Sequence, residues 1–227
     1  MIMWLSETNT GTIILDITTI LLLAGMIIFT SLYRKRGNLG DRVFFLLLIA
    51  DIITAALDGM NFFFEKSPFA FKGALITAGD TLFTILYEIM PFMMVLYLDY
   101  RLRGDKRHTT GLIRIAVWPC VLSVLLILGN LIWKYLFYFD EAEGVYVYAK
   151  GYDLIHIAVV IYLCIILVQL WKKDKRTMIM YLIAIGCRIV LRNIIRDISS
   201  TPFIVAVLLI FFHILEMNES FYKEVDG

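Results

Sequence analysis

Three arginines spaced four apart, Arg188, Arg192 and Arg196, and five acids, Asp16, Asp51, Asp58, Asp80 and Glu88, stand in otherwise apolar sequence. They are the side chains most able to do chemistry. An ionisable group in hydrocarbon costs roughly 2.5–3.5 kcal/mol even on insertion scales, so such groups face a bundle interior and find partners. Arginines at i, i+4 and i+8 of a helix share one stripe, with about 6 Å of rise between successive guanidiniums. A guanidinium is a fork of donors that matches a carboxylate or phosphate, and a nearby acid suits an amine. The chemistry indicated is recognition of a small anionic or zwitterionic molecule, with Arg188 and Arg192 as the forks. A plainer alternative is a buried network in which arginines and acids neutralise one another and fix helix register. A third is a path for ions or protons.

The elements that must hold these residues follow from composition. Of the 227 residues, 60% are hydrophobic and 18% charged, and the mean hydropathy is +0.81, values that belong to integral membrane proteins. With 21 basic against 20 acidic residues the chain has no overall basic face, which excludes a nucleic-acid partner. Apolar segments run over Thr12–Leu32, Val43–Phe64, Ala74–Leu98, Leu112–Trp133, Tyr152–Trp171, Met178–Ile195 and Pro202–Leu215. Each is near the length that crosses roughly 30 Å of hydrocarbon, the last being short. The expected fold is an all-α membrane protein, a seven-transmembrane helix bundle over residues 1–217 with the start of a cytoplasmic linker over 218–227.

The connections alternate in charge. Arg34, Lys35, Arg36, Arg42, Arg101, Arg103, Lys106, Arg107, Arg114, Lys172, Lys173, Lys175 and Arg176 fall on one side, against Lys66, Lys72, Lys134 and Lys150 on the other. The positive-inside rule then sets the N-terminus outside and the C-terminus in the cytoplasm. The first residues lack the basic start of a cleavable signal peptide, so the first apolar stretch is expected to be a retained span. Counted from each span's middle, Asp16, Asp58, Asp80, His156 and Arg192 lie roughly 7–10 Å toward the outside, with Asp51, Glu88 and Arg188 near the midplane. This predicts an outward-opening polar pocket whose ligand-binding residues are Arg188, Arg192, Arg196, Asp16, Asp58, Asp80, Glu88 and His156.

Between the fourth and fifth spans, LFYF and VYVYA flank the polar turn DEAEG, predicting a small outside β-hairpin; a tyrosine-rich loop at the lipid interface is the alternative. Pro91 removes a hydrogen bond inside the third span and is expected to bend it, while Pro202 suits the first turn of the seventh. With His213, these are the candidate hinge and signalling positions. His213 and Gln169 read as interface or interhelical hydrogen bonders, and His108, in a basic loop, reads as solvated. Cys120, Cys164 and Cys187 have no paired spacing and read as small core residues. Three dispersed histidines form neither a metal site nor a Ser-His pair, so no metal, cofactor or catalytic residue is expected. No lysine lies between Ile198 and Met217, which excludes a retinal Schiff base in the seventh span.

Two longer strings are suggestive: PFMMVLYLDYRLRGDKR closing the third span and LLIFFHILEMNESFYKEVDG leading out of the seventh. The chain resembles the seven-helix sensory module found ahead of bacterial GGDEF-type diguanylate cyclases and some histidine kinases. In that family the third span ends in a similar Leu-Tyr-x-Asp-Tyr-Arg stretch, here Leu96 to Arg101. A hairpin there precedes a Tyr-x-x-Gly stretch, here Tyr148 to Gly151. The arginine stripe of the sixth span departs from the family pattern. The resemblance implies a multi-pass receptor of the bacterial cytoplasmic membrane that takes a small-molecule ligand from outside. It also implies homodimerisation and a seventh helix running into a cytoplasmic output domain or partner protein, so that any cyclase or kinase activity lies outside these residues.

Two rivals stand beside the sensor. A small secondary transporter would also suit a midplane polar site, although such carriers show repeats with broken helices at matching positions and only Pro91 and Pro119 interrupt spans here. A structural subunit without a ligand would tolerate charge-neutral paired replacement in the arginine network.

Overall fold

A computed structural model describes residues 2–33, 39–65, 71–104, 106–140, 145–194 and 201–225; within them the side chains of 2–10, 187–194, 215–225 and a few scattered residues are outside the description. Among the described residues the chain forms seven helices and one hairpin. The helices are α1 (Ile2–Tyr33), α2 (Leu39–Glu65), α3 (Lys72–Arg103), α4 (Lys106–Trp133), α5 (His156–Lys173), α6 (Lys175–Ile194) and α7 (Thr201–Val225). Strands β1 (Phe137–Asp140) and β2 (Val145–Tyr148) pair antiparallel, with Phe137 opposite Tyr148 and Asp140 opposite Val145. The hairpin expected between the fourth and fifth helices is present as this strand pair; the DEAEG segment expected to form its turn lies largely outside the described residues.

Five segments are long and apolar enough to cross a bilayer: Gly11–Ser31, Leu39–Asn61, Lys72–Arg103, His108–Trp133 and Tyr152–Lys172. Among the described residues the apolar parts of α6 and α7, Thr177–Gly186 and Thr201–Ile214, are shorter, at 10 and 14 residues. The protein is therefore a helical, multi-pass membrane protein. Its surface agrees, since Leu21, Ile28, Ile115, Trp118, Ile132 and Trp171 are all more than half exposed, on faces that only lipid would cover.

Local chemistry explains several boundaries. α3 ends at Gly104, whose φ of 65° is open to glycine and whose N–H donates to the Tyr100 carbonyl at 2.8 Å. Arg101 and Arg103 occupy its last turn, where the helix dipole favours cations. Asp174 caps α6: its carboxylate accepts the Thr177 N–H at 3.0 Å and the Thr177 hydroxyl. Pro202 sits in the first turn of α7, as expected. Pro91 lies inside α3, which continues as α-helix through it to Arg103.

Sequence neighbours pack side by side from α1 to α7, and α7 closes the bundle against α1 and α2. α3 is the central helix, in contact with α2, α4, α5 and β1. The main core joins Leu23 of α1, Phe44 and Leu48 of α2, Leu98 of α3, Tyr162 of α5 and Phe212 of α7. A smaller cluster, Ile127, Leu136, Phe137 and Ile155, lies under the hairpin. Hydrocarbon tails are as apolar as leucine, so close packing and interhelical polar contacts are what hold such a bundle together. The interior also carries buried Thr19, Thr54, Thr81 and Thr84, whose hydroxyls are satisfied within their own helices by carbonyls one turn back at 2.7–2.8 Å.

One expectation about the core is corrected. Cys120 is buried, but Cys164 is exposed on the outer surface of α5; a small apolar residue pays no penalty on a lipid-facing stripe. Cys187 lies outside the described side chains.

Candidate functional site

The predicted acids divide among three interfaces. Asp16 of α1 is buried against α2 in a notch left by Gly59, where a β-carbon would meet Asp16 Oδ2 at 3.4 Å. It lies within electrostatic reach of both Asp51 and Asp58 of α2. Asp51 is fully buried, and neither of its oxygens accepts a hydrogen bond. One turn past Asp58, Asn61 donates from Nδ2 to Asp80 Oδ1 of α3 at 2.6 Å. The Asn61 side chain lies directly on Gly79, in space that any larger residue at that position would fill.

Glu88 belongs to a different interface. It is fully buried on the side of α3 that faces α4 and α5, with Ser123, Cys120 and Tyr162 around it. Ser123 faces the carboxyl but makes no hydrogen bond of proper distance and angle, and both Glu88 oxygens are left without one. Tyr162 donates its hydroxyl to the Ala116 carbonyl at 2.6 Å, tying α5 to α4. His156, at the start of α5, is held edge-on between Tyr87 and Tyr152, with ring centroids 6.2 and 5.2 Å away. Among the described residues these polar side chains fall in separate groups. Arg188 and Arg192 lie four apart within α6, which keeps them on one helical stripe; their side chains, and Arg196 altogether, are outside the described residues.

His213 of α7 is buried, stacked on Phe44 at 5.5 Å and an 11° interplanar angle, with Phe29 edge-on at 6.1 Å. Where a hydrogen bonder was expected, the described contacts are those of a ring joint between α7, α2 and α1.

The most fully satisfied polar centre is Asp99, which the sequence reading used only as part of a motif. It is fully buried near the end of α3. Arg103 Nε lies 3.1 Å from Oδ1, and Gln169 Nε2 of α5 donates to the same oxygen at 3.5 Å. The Thr109 hydroxyl donates to Oδ2 at 2.9 Å, and His108 Nδ1 lies 3.0 Å from it. His108 is therefore a partner of Asp99 rather than a merely solvated loop residue, a correction that follows from α4 starting at Lys106 and folding back over α3. Gln169 does act between helices. The Asp99–Arg103 pair is the one part of this centre with a local signature, the i, i+4 spacing of opposite charges.

Asn130 was also missed. Buried near the end of α4, it donates from Nδ2 to the Phe137 carbonyl at 2.7 Å, while its Oδ1 accepts from the N–H groups of Leu136 and Phe137 at 2.7 and 3.3 Å. A polar residue a few positions before an aromatic hairpin was the available signal.

A groove of about 510 Å3 lies between α3, the end of α4 and β1, and contains none of the predicted binding residues. Among the described residues no group of three or more His, Cys, Asp or Glu is placed to hold a metal ion. No family model matches the chain, and no curated protein and no solved structure shows significant similarity to it.

Proposed function

We propose that this protein is a ligand-sensing receptor module of a bacterial cytoplasmic membrane, of the kind that precedes diguanylate cyclases and histidine kinases. All seven helices cross the bilayer, with the N-terminus outside and the C-terminus in the cytoplasm. A small anionic or zwitterionic ligand enters from outside, engages Arg188, Arg192 and the acids of α1–α3, and shifts the packing of α6 and α7. The seventh helix carries that shift to a cytoplasmic output domain or partner, across a homodimer.

The observation that carries this reading is the interior of the bundle, where Asp51 and Glu88 are fully buried with no hydrogen bond to any carboxyl oxygen. A bilayer offers no water to satisfy such groups, so they persist where they are used. A ligand can act as a switch only through unequal affinity for two packings, and acids without fixed partners supply groups whose pairing can change. The resemblance of LYLDYR and of the segment leading out of α7 to the sensory family supports a signalling role.

The test is thermal stabilisation of the purified protein by a panel of anionic and zwitterionic small molecules. A ligand at 100 times its Kd should add about 2.7 kcal/mol, and Arg192→Ala or Asp80→Asn should abolish the effect. Equal stabilisation of both variants would place the pocket elsewhere. The same unpartnered acids also suit an ion or proton pathway or a small secondary transporter, and uptake into proteoliposomes separates these from the receptor: saturable flux lost in Arg192→Ala would replace the sensor by a carrier.

A further inference from the structure

The groove beside the hairpin has a built polarity. Its floor is the N-terminal part of α3, where Gly73, Ala74, Thr77 and Ala78 keep side chains small; Leu82, Leu131 and Phe137 form walls. Leu82 and Leu131 are 45% and 49% exposed and Ala74 and Ala78 are exposed, so the groove opens sideways on the surface that lipid covers. Two of the polar side chains in its lining, Thr81 and Asn130, are already engaged. The Thr81 hydroxyl donates to the Thr77 carbonyl of its own helix, and both ends of the Asn130 amide bind the backbone of Leu136 and Phe137. What the lining offers an occupant is chiefly methyl, methylene and ring surface.

One end is different. α3 begins at Lys72 and the antiparallel α4 ends at Trp133, so the groove closes where both helices reach the same membrane boundary. Lys72 Nζ stands 5.8 Å from the centre of the Phe139 ring, and exposed Lys134 follows α4 in a left-handed conformation, φ 51°. Among the described residues no acid lines the groove, and the ion pairs there centre on Asp99 and include neither lysine. Trp133, 71% exposed, marks the same level as interfacial.

An apolar trough open to the bilayer, with two cations at its headgroup end, has the chemistry of one occupant. We infer that the groove binds an anionic phospholipid, one acyl chain lying along Ala74, Ala78 and Leu82 and the phosphate held by Lys72 and Lys134. Its volume falls within the range of about 300–1,000 Å3 typical of ligand sites. A second copy of the chain would account for the apolar trough but not for the lysines at its end. The site is separate from the interior acids, and it stands or falls independently of the receptor reading.

The test is native mass spectrometry of the full chain released from nanodiscs that hold equal amounts of phosphatidylglycerol and phosphatidylcholine with identical acyl chains. Phosphatidylglycerol should be retained preferentially, by about fivefold for each lysine engaged. Lys72→Gln with Lys134→Gln should bring the two lipids to parity, and Ala78→Phe, which fills the trough, should lower retention of both. Equal retention by the unaltered protein, or an unchanged preference in the double lysine variant, overturns the inference. So does competition by soluble glycerophosphoglycerol, which would make the site one for free anions, or a loss of dimer without a loss of lipid in Ala78→Phe. Should Ala78→Phe fail to fold, the lysine variants decide, since both ammonium groups lie at the surface.

Discussion

Replacing Asp99 by alanine is expected to cost about 2–4 kcal/mol, and the way that loss divides among its partners tests whether burial sets the worth of a polar contact in this bundle. Thr109 is 1% exposed, so its hydroxyl has no solvent to turn to when the carboxylate is removed. A hydrogen bond to a carboxylate in such a position is worth about 1.5–3 kcal/mol. Arg103 and His108 are 41% and 39% exposed and can be rehydrated, so each contributes about 0.2–1 kcal/mol. Gln169, at 3.5 Å, is at the limit of a hydrogen bond and adds little. Reversible unfolding in mixed detergent micelles would measure the total, and double-mutant cycles would divide it. The Asp99–Thr109 coupling should exceed about 1.5 kcal/mol and the Asp99–Arg103 coupling should stay below about 1 kcal/mol. A total loss under about 1 kcal/mol, or a larger coupling to Arg103 than to Thr109, would refute the reasoning.

Three further outcomes are expected. Asn130→Ala leaves the buried Phe137 carbonyl and Leu136 N–H unsatisfied at about 1–3 kcal/mol each, and should speed hydrogen exchange at Leu136 and Phe137 before any change in the helices. Gly151→Ala brings a β-carbon within 2.7 Å of the Tyr135 carbonyl, and should destabilise by about 1–3 kcal/mol, seen as a lower unfolding midpoint. Asp51→Asn and Glu88→Gln break no hydrogen bond and remove an ionisable group from the interior, so stability should hold or rise while the ligand response falls; a loss above about 1 kcal/mol in either would show a structural partner.

The sequence by itself determined the membrane class, the positions of all seven helices, the hairpin after α4 and the placing of Pro202 in the first turn of α7. These are local properties. Run length decides what can span hydrocarbon, and turn chemistry decides where a chain reverses, so neither waits on distant contacts. Gly151, just past the hairpin, passes so close to the Tyr135 carbonyl that a side chain would collide with it.

Only the tertiary structure decided which polar groups meet. The acids were grouped by depth, but depth leaves open the rotation of each helix about its axis, and helices apolar on most faces do not announce which side turns inward. Hence Asp16 meets Asp51 and Asp58 across α1 and α2, while Glu88 turns away toward α4 and α5. The Asp99 centre draws on residues 99, 103, 108, 109 and 169, and its longest link joins side chains 70 positions apart. The groove that runs from Gly73 to Lys134 and Phe139 likewise exists only because α3 and α4 bring a start and an end together. A contact between side chains depends on the packing of whole helices, and apolar sequence encodes that packing through shape rather than through any motif.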